Sequence, residues 1–115
     1  MNKTEATLNH HLQAFHEGNI EELMADYTEQ SVMILEDKLI KGIDNIRAFN
    51  SEVFENIFPP GSEYELKHSQ VVGDIAYIVW SGGTDKLSFK LGTDTFVMKN
   101  GKILQQTAAV LIEPK

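Results

Sequence analysis

Apolar residues recur at helical spacing through the first half of the chain. Thr4 has the character of a residue that begins a helix, and Gly18 of one that ends it. The stripe on one face of this first helix consists of Leu8, His11, Leu12 and Phe15. The first helix is therefore predicted to carry a histidine within its apolar face.

Two further helices are predicted. Asn19 and Glu22 have the spacing of a capping box that opens a second helix, and Asp44 caps a third. Pro59 and Pro60 end the third helix, because proline lacks the N–H and the space that a helix interior requires. The predicted buried positions are Ile20, Leu23, Met24 and Tyr27 in the second helix and Ile46, Phe49, Val53 and Ile57 in the third.

The remaining segments have the pattern of strands. Two short apolar runs, 32–35 and 39–41, predict a small hairpin before the third helix. Four longer strands follow at 63–72, 75–81, 87–98 and 102–112. Gly73-Asp74 and Asn100-Gly101 suit two-residue hairpin turns within this meander. Helices followed by an antiparallel meander predict an α+β fold with the helices packed on one face of the sheet.

The Asn100-Gly101 turn also predicts the register of the last hairpin. A two-residue loop places Thr95 opposite Gln106. On this register Thr93, Thr95 and Gln106 point at the helices, and Asp94 lies on the opposite face. A bulge that shifts the register by one residue would instead turn Asp94 toward the helices, so this alternative stays open.

The face of the sheet away from the helices is unusually apolar for a surface in contact with water. Its predicted apolar members include Phe96, Met98, Ile103 and Leu111. Three helices cover only one face of the sheet, so a second copy of the chain is the most economical cover for the other. The sequence therefore predicts a homodimer through the outer face of the sheet.

Composition narrows the classes of function. A chain of 115 residues with 42% hydrophobic content forms one domain, residues 1–115, around a single core. The net charge of -7 argues against nucleic acid and membrane as partners. No apolar run spans a bilayer and no signal-peptide pattern opens the chain, so a cytoplasmic location is expected. Cysteine is absent and the histidines lack a metal-binding spacing, so no metal site or cofactor is predicted.

Three segments together resemble the nuclear transport factor 2-like superfamily, within it the SnoaL-like and ketosteroid-isomerase-like proteins. They read HEGNIEELMADYTEQSVMILED, KGIDNIRAF and GTDTFVMKNGKILQQ, and the resemblance covers nearly the whole chain. It implies a cone-like barrel whose curved sheet wraps a helix and encloses a cavity, and dimerisation through the outer sheet face. It leaves the activity open, since such proteins include isomerases, cyclases, dehydratases, hydrolases and proteins that only bind partners.

The isomerases of this superfamily use a tyrosine on the first helix, an aspartate base after the second helix and a protonated acid on the long strand. In this chain those positions fall on His11, on Leu35 beside Glu36, and on Thr93. The usual ketosteroid-isomerase mechanism is therefore not expected. The resemblance also implies cavity-lining positions at Thr93, Gln106, Ala108 and Val110.

Two residues are candidates for acid–base catalysis. His11 has a ring that titrates near neutral pH, although a histidine in an apolar stripe is equally often a hydrogen-bonded core residue. Glu36, Tyr27 or Gln106 would be its orienting partner. Glu36 is the carboxylate nearest the base position of the isomerases, but Glu36-Asp37-Lys38 also has the composition of an ordinary exposed turn.

An apolar cup with a polar centre is typical of a small-molecule site. The residues predicted to line it are Phe15, Trp80, Thr93, Thr95, Gln106 and Val110. The favoured hypothesis is a protein that binds a small hydrophobic molecule or converts it by acid–base chemistry, with His11 as the group that handles the proton. The alternative is a non-catalytic dimeric module whose cavity is filled by its own side chains.

Overall fold

The structure, a computed structural model, describes residues 2–115. The helices are α1 (Lys3–Glu17), α2 (Ile20–Met24) and α3 (Ile43–Glu52), and α3 continues into a π-helical segment, Val53–Ile57. The strands are β1 (Tyr27–Ile34), β2 (Leu39–Lys41), β3 (Glu63–Val72), β4 (Ile75–Gly83), β5 (Leu87–Lys99) and β6 (Lys102–Pro114).

The predicted α+β cone is confirmed. The helices pack against one curved, unclosed sheet of six strands in the order β2-β1-β6-β5-β4-β3. The four-strand meander is antiparallel throughout, but β1 pairs in parallel with β6. The expectation of a wholly antiparallel sheet is therefore wrong at this one pair, which joins the first strand of the chain to the last.

The first two helices begin or end at residues other than those predicted. Asn2 rather than Thr4 caps α1, because its side chain accepts from the Glu5 N–H. Asn19 caps α2 as expected, but α2 has only five residues and ends at Met24. Tyr27 is therefore not a helical residue; it begins β1, where it pairs with Ile103.

The Asn100-Gly101 turn forms as predicted, with positive φ at both residues (53° and 78°). Met98 accordingly pairs with Ile103. Leu104 is then an extra residue in β6, so every pair from Val97–Gln105 to Leu91–Leu111 is shifted by one position. A second extra residue, Lys90 in β5, returns the ends of the hairpin to the predicted register.

The shifted register reverses the faces predicted for the middle of β5. Gln106 pairs with Phe96 instead of Thr95, and Asp94 pairs with Ala108. Thr93 and Thr95 therefore lie on the outer face, and the prediction that they point at the helices is wrong. The alternative left open by the sequence, a bulge that turns Asp94 inward, is the one that the structure adopts.

The core lies between the inner face of the sheet and the helices. Its buried members come from α1, α2, α3 and the four strands β1, β4, β5 and β6, and include Leu8, Met24, Met33, Ile46, Ile78, Phe96 and Ile103. Within residues 2–115, no helix combines the length and the apolar character needed to cross a membrane.

Candidate functional site

A cavity of about 520 Å³ lies between the helices and the inner face of the sheet. Its volume is within the range of small-molecule sites, roughly 300–1,000 Å³. The aromatic side chains that line it are Phe15, Tyr27, Phe49, Phe58, Tyr64, Trp80, Phe89 and Phe96. A row of hydrogen-bonded polar side chains runs along this apolar wall. These side chains form the candidate functional site.

Asp94 is the carboxylate at the cavity end of the row. Its Oδ1 accepts from Trp80 Nε1 at 3.0 Å, and its Oδ2 accepts from Gln106 Nε2 at 2.9 Å. Burial raises the pKa of Asp94 above its ordinary value, against the opposing effects of these two hydrogen bonds and of the His11 charge. Asp94 therefore holds a proton to higher pH than an exposed carboxyl group does.

A glycine makes the contact between Trp80 and Asp94 possible. Gly92 pairs with Trp80 across β4 and β5. A Cβ atom at Gly92 would lie 2.2 Å from the Trp80 indole, far inside van der Waals contact. Because Gly92 has no side chain, the indole lies flat against β5 and directs its N–H at Asp94.

Two uncharged residues continue the row from Asp94 toward α1. Gln106 accepts on its Oε1 from the Tyr27 hydroxyl at 2.5 Å. The same hydroxyl oxygen lies 3.3 Å from Nε2 of His11. Burial raises the pKa of Tyr27 far above its ordinary value, so its phenol stays neutral and keeps its hydrogen.

A second carboxylate, Asp26, ends the row on the other side. Its Oδ2 accepts from His11 Nδ1 at 3.0 Å, and its Oδ1 accepts from His10 Nδ1 at 2.8 Å. The other ring nitrogen of His10 lies 3.0 Å from Glu22 Oε1. The pKa of His10 is raised, first by the hydrogen bond to Glu22 and then by Asp26. We use the term polar row for Asp26, His11, Tyr27, Gln106 and Asp94.

The early end of α2 places Asp26 in the row. The chain leaves α2 after Met24 and enters β1 at Tyr27, and the Asp26 carbonyl accepts from the Ile103 N–H at 2.7 Å. This bond fixes the Asp26 backbone against β6. The Asp26 side chain, which is 8% exposed, then contacts both adjacent histidines of α1 through its carboxylate.

Tyr64, at the start of β3, also lines the cavity. Within residues 2–115, its hydroxyl group is buried and has no hydrogen-bond partner. Burial, and secondarily the charge of Asp94, raises the pKa of Tyr64 to about 12. The Tyr64 ring packs against Trp80, with 5.6 Å between ring centroids.

The structure brings most of the predicted site residues together. Those that line the cavity are His11, Phe15, Glu36, Trp80, Gln106 and Val110, whereas Thr93 and Thr95 do not line it. Of the three predicted orienting partners of His11, Tyr27 contacts its ring directly and Gln106 contacts it through Tyr27. Glu36 instead accepts from the Val110 N–H at 2.9 Å, which ties the β1–β2 turn to β6.

Polar residues at or beside the cavity that were not predicted as site residues include Asp26, Asn50 and Tyr64. Asp94 was predicted to face the cavity only if a bulge shifted the register by one residue, and the structure has that bulge. Asp26 follows a predicted helix of uncertain length, and Asn50 and Tyr64 belong to amphipathic segments in which a single inward polar residue has no distinctive spacing.

A curved sheet that encloses a cavity with its helices defines the class of α+β cone proteins. Within that class the chain belongs to the SnoaL-like domain family, whose sequence profile matches residues 8–106. Among curated proteins, none matches the sequence significantly.

Solved structures with the same fold share little sequence with this chain. An NTF-2 like protein of unknown function from Burkholderia xenovorans LB400 has a TM-score of 0.79 at 18% identity, covering 94% of this chain and 82% of that one. A SnoaL-like protein of unknown function from Burkholderia thailandensis e264 has a TM-score of 0.77 at 13% identity, with 95% of each chain covered. A de novo designed protein with a curved β-sheet has a TM-score of 0.80 at 12% identity, covering 96% and 88%. At these identities the likeness shows the fold alone.

Proposed function

We propose that the cavity binds a small, neutral, mainly apolar carbonyl compound and exchanges a proton with it through Asp94. The observation that carries this proposal is a carboxyl group on the wall of a mainly apolar cavity, held by two N–H donors. Perturbed carboxyl groups in such surroundings are typical of acid–base sites.

The charges around the cavity favour a neutral ligand over an anionic one. The acidic residues that line the cavity are Glu36, Asp37 and Asp94, and the basic ones are Lys38 and His11. Lys38 has two acidic neighbours in the β1–β2 turn, so the lining residues among positions 2–115 form no cluster of basic groups that would hold a carboxylate or phosphate. Apolar lining and the cavity volume favour a ligand of one to three fused rings.

The chemistry that suits Asp94 is proton transfer at a carbon next to a carbonyl group. The C–H bond breaks, its electron pair moves onto the carbonyl oxygen as an enolate, and Asp94 takes the proton. Return of a proton to the enolate completes the exchange. His11 acts on this step through its charge, which opposes the rise in the Asp94 pKa and so favours the ionised, basic form.

Hydrogen–deuterium exchange of 2-tetralone in D₂O, followed by proton NMR, tests the proposal. We expect the protein to exchange the ring hydrogens next to the carbonyl faster than buffer alone. Asp94→Asn removes the base and should return the exchange rate to that of buffer. Asp74→Asn, in the exposed β3–β4 turn, is the matched control and should keep the wild-type rate. Exchange at the buffer rate in the wild-type protein would reject the proposal.

A second candidate function, a dimeric association module, is favoured by the outer face of the sheet. Four apolar side chains there, Ile75, Tyr77, Leu91 and Leu111, are 37–55% exposed. Leu91 and Leu111 form a cross-strand pair between the two long strands β5 and β6. We propose that a second copy of the chain covers this face, because the two copies would present the same apolar pair to each other.

Light scattering after size-exclusion chromatography tests the dimer. We expect the wild-type chain to have twice the monomer mass and Leu111→Lys to be monomeric. Leu39→Lys is the matched control, since Leu39 is 54% exposed but lies in β2 at the sheet edge. A monomeric wild-type chain would contradict the dimer, and a dimer without 2-tetralone exchange would favour association over catalysis.

A further inference from the structure

Both ends of the polar row are carboxylates. An ionised carboxylate only accepts hydrogen bonds, so the residues between Asp26 and Asp94 must donate in both directions. The row contains four links, His11 to Asp26 at 3.0 Å, His11 to Tyr27 at 3.3 Å, Tyr27 to Gln106 at 2.5 Å and Gln106 to Asp94 at 2.9 Å. The number of hydrogens available for these links determines which protonation states the row allows.

With both carboxylates ionised, only one placement of the hydrogens along the row is possible. Gln106 donates to Asp94 from its amide nitrogen, so its amide oxygen accepts the single hydrogen of Tyr27. The link between Tyr27 and His11 then needs a hydrogen from His11 Nε2, while His11 Nδ1 already donates to Asp26. The row is therefore complete only when His11 is protonated at both ring nitrogens.

A proton on Asp94 allows the opposite arrangement. The protonated carboxyl group donates to the Gln106 oxygen once the Gln106 amide rotates by half a turn. The Gln106 nitrogen then donates to Tyr27, and Tyr27 donates to Nε2 of a neutral His11. The same residues at the same positions satisfy every link, with one proton on Asp94 instead of on His11.

We propose that Gln106 couples the two titrations, so that the polar row holds one proton, either on Asp94 or on Nε2 of His11. Asp94 takes its proton from the ligand or from water, His11 releases its proton to water, and the amide itself transfers none. Other titratable groups that face the row are His10 and Glu22 at one end and Tyr64 at the other. This inference deepens the proposed function, because it ties the state of the proposed base to that of a second group.

Nitrogen-15 NMR of the His11 ring measures this coupling without any ligand. Asp94→Asn imitates the protonated carboxyl group, since its amide nitrogen donates to Gln106. In the wild-type background we expect this change to move the His11 titration to lower pH by about 1 unit or more, with the neutral ring protonated on Nδ1. In the Gln106→Met background the same change should move it less than half as far, because only the direct effect of charge remains.

Gln105→Met is the matched control, since Gln105 is exposed and precedes Gln106 on the same strand. It should leave the full effect of Asp94→Asn in place. Tyr27→Phe cuts the row at the next link and serves if Gln106→Met does not fold. Equal shifts of the His11 titration in the wild-type and cut backgrounds would overturn the coupling. Loss of 2-tetralone exchange with the coupling intact would instead reject only the proposed function.

Discussion

Tyr27 and Tyr64 each bury a hydroxyl group beside the cavity, but among residues 2–115 only the Tyr27 hydroxyl finds a hydrogen-bond partner. The Tyr27 hydroxyl donates to Gln106, whereas the Tyr64 hydroxyl has no partner within residues 2–115. A buried hydroxyl without a partner costs stability, and its removal leaves nothing else unpaired. The two tyrosines therefore form a natural pair for comparison at the scale of a single atom.

We expect Tyr64→Phe to leave the free energy of unfolding unchanged or raised. Tyr27→Phe should lower it by about 1–3 kcal/mol, because the Gln106 oxygen is then buried without its donor. Urea unfolding of both variants measures the difference. Equal losses in the two variants would mean that the Tyr64 hydroxyl is also paired.

Asp94 should give the fold a specific pH dependence. Its pKa is raised from an ordinary value of 3.8, so the folded state binds its proton more tightly than the unfolded state does. The stability contributed by protonated Asp94 is complete below the unfolded pKa and is lost as pH rises through the folded pKa. We therefore expect the unfolding free energy of wild type minus that of Asp94→Asn to fall as the pH rises above about 4. Urea unfolding of both proteins at a series of pH values measures this difference. A difference that rises with pH would contradict the raised pKa.

Part of the site could be predicted from the sequence because the apolar pattern around some residues fixes which way their side chains point. His11, Phe15 and Trp80 lie in strong apolar patterns, and the cavity follows from where those patterns point. Thr93 and Asp94 differ, because adjacent strand residues face opposite ways and a one-residue shift exchanges them. Nothing local distinguishes an inward aspartate flanked by threonines from an outward one.

At the scale of an element, the extra residue Leu104 decides which face of β6 meets the cavity. Met98 and Ile103, which pair next to the turn, are both buried, and Phe96 lies on the same face of β5 as Met98. Without the extra residue Gln105 would pair with Phe96 and point inward. With it Gln106 takes that place, where it is 7% exposed and hydrogen-bonded to Tyr27 and Asp94. The turn was predictable from Asn100-Gly101, but the bulge depends on this tertiary packing.

Gly92→Ala should disturb the site through β5. The new methyl group would overlap the Trp80 indole, so the indole must move away from Asp94. We expect a loss of roughly 1–3 kcal/mol in unfolding free energy, typical of an overpacked core, and a changed tryptophan fluorescence spectrum. Gly83→Ala is the matched control in β4, where the nearest atom is the flexible Lys115 Nζ at 3.3 Å. An unchanged tryptophan spectrum in Gly92→Ala would show that the indole is held elsewhere.

At the scale of the whole molecule, the fold was more predictable than the site. The fold was predicted from patterns that extend over many residues, namely the helical spacing, the two hairpin turns and the switch from helices to strands. One misjudged boundary, such as the end of α2 at Met24, therefore does not change the architecture. The polar row has five members from four separate segments. Each member is a single residue, and its role in the site depends on contacts between segments far apart in the chain.

The parallel pairing of β1 with β6 has a consequence for synthesis of the chain. Tyr27 pairs with Ile103 and Met33 with Gln106, and the sheet becomes continuous only when these pairs form. On a ribosome β6 emerges after every other strand of the sheet, so the edge of β1 that pairs with β6 remains unpaired until then. The contacts of α1 with α2 and β4, and the pairing of β1 with β2, involve only segments made earlier. The two parts of the sheet are therefore joined, and the wall of the cavity completed, only when β6 is in place.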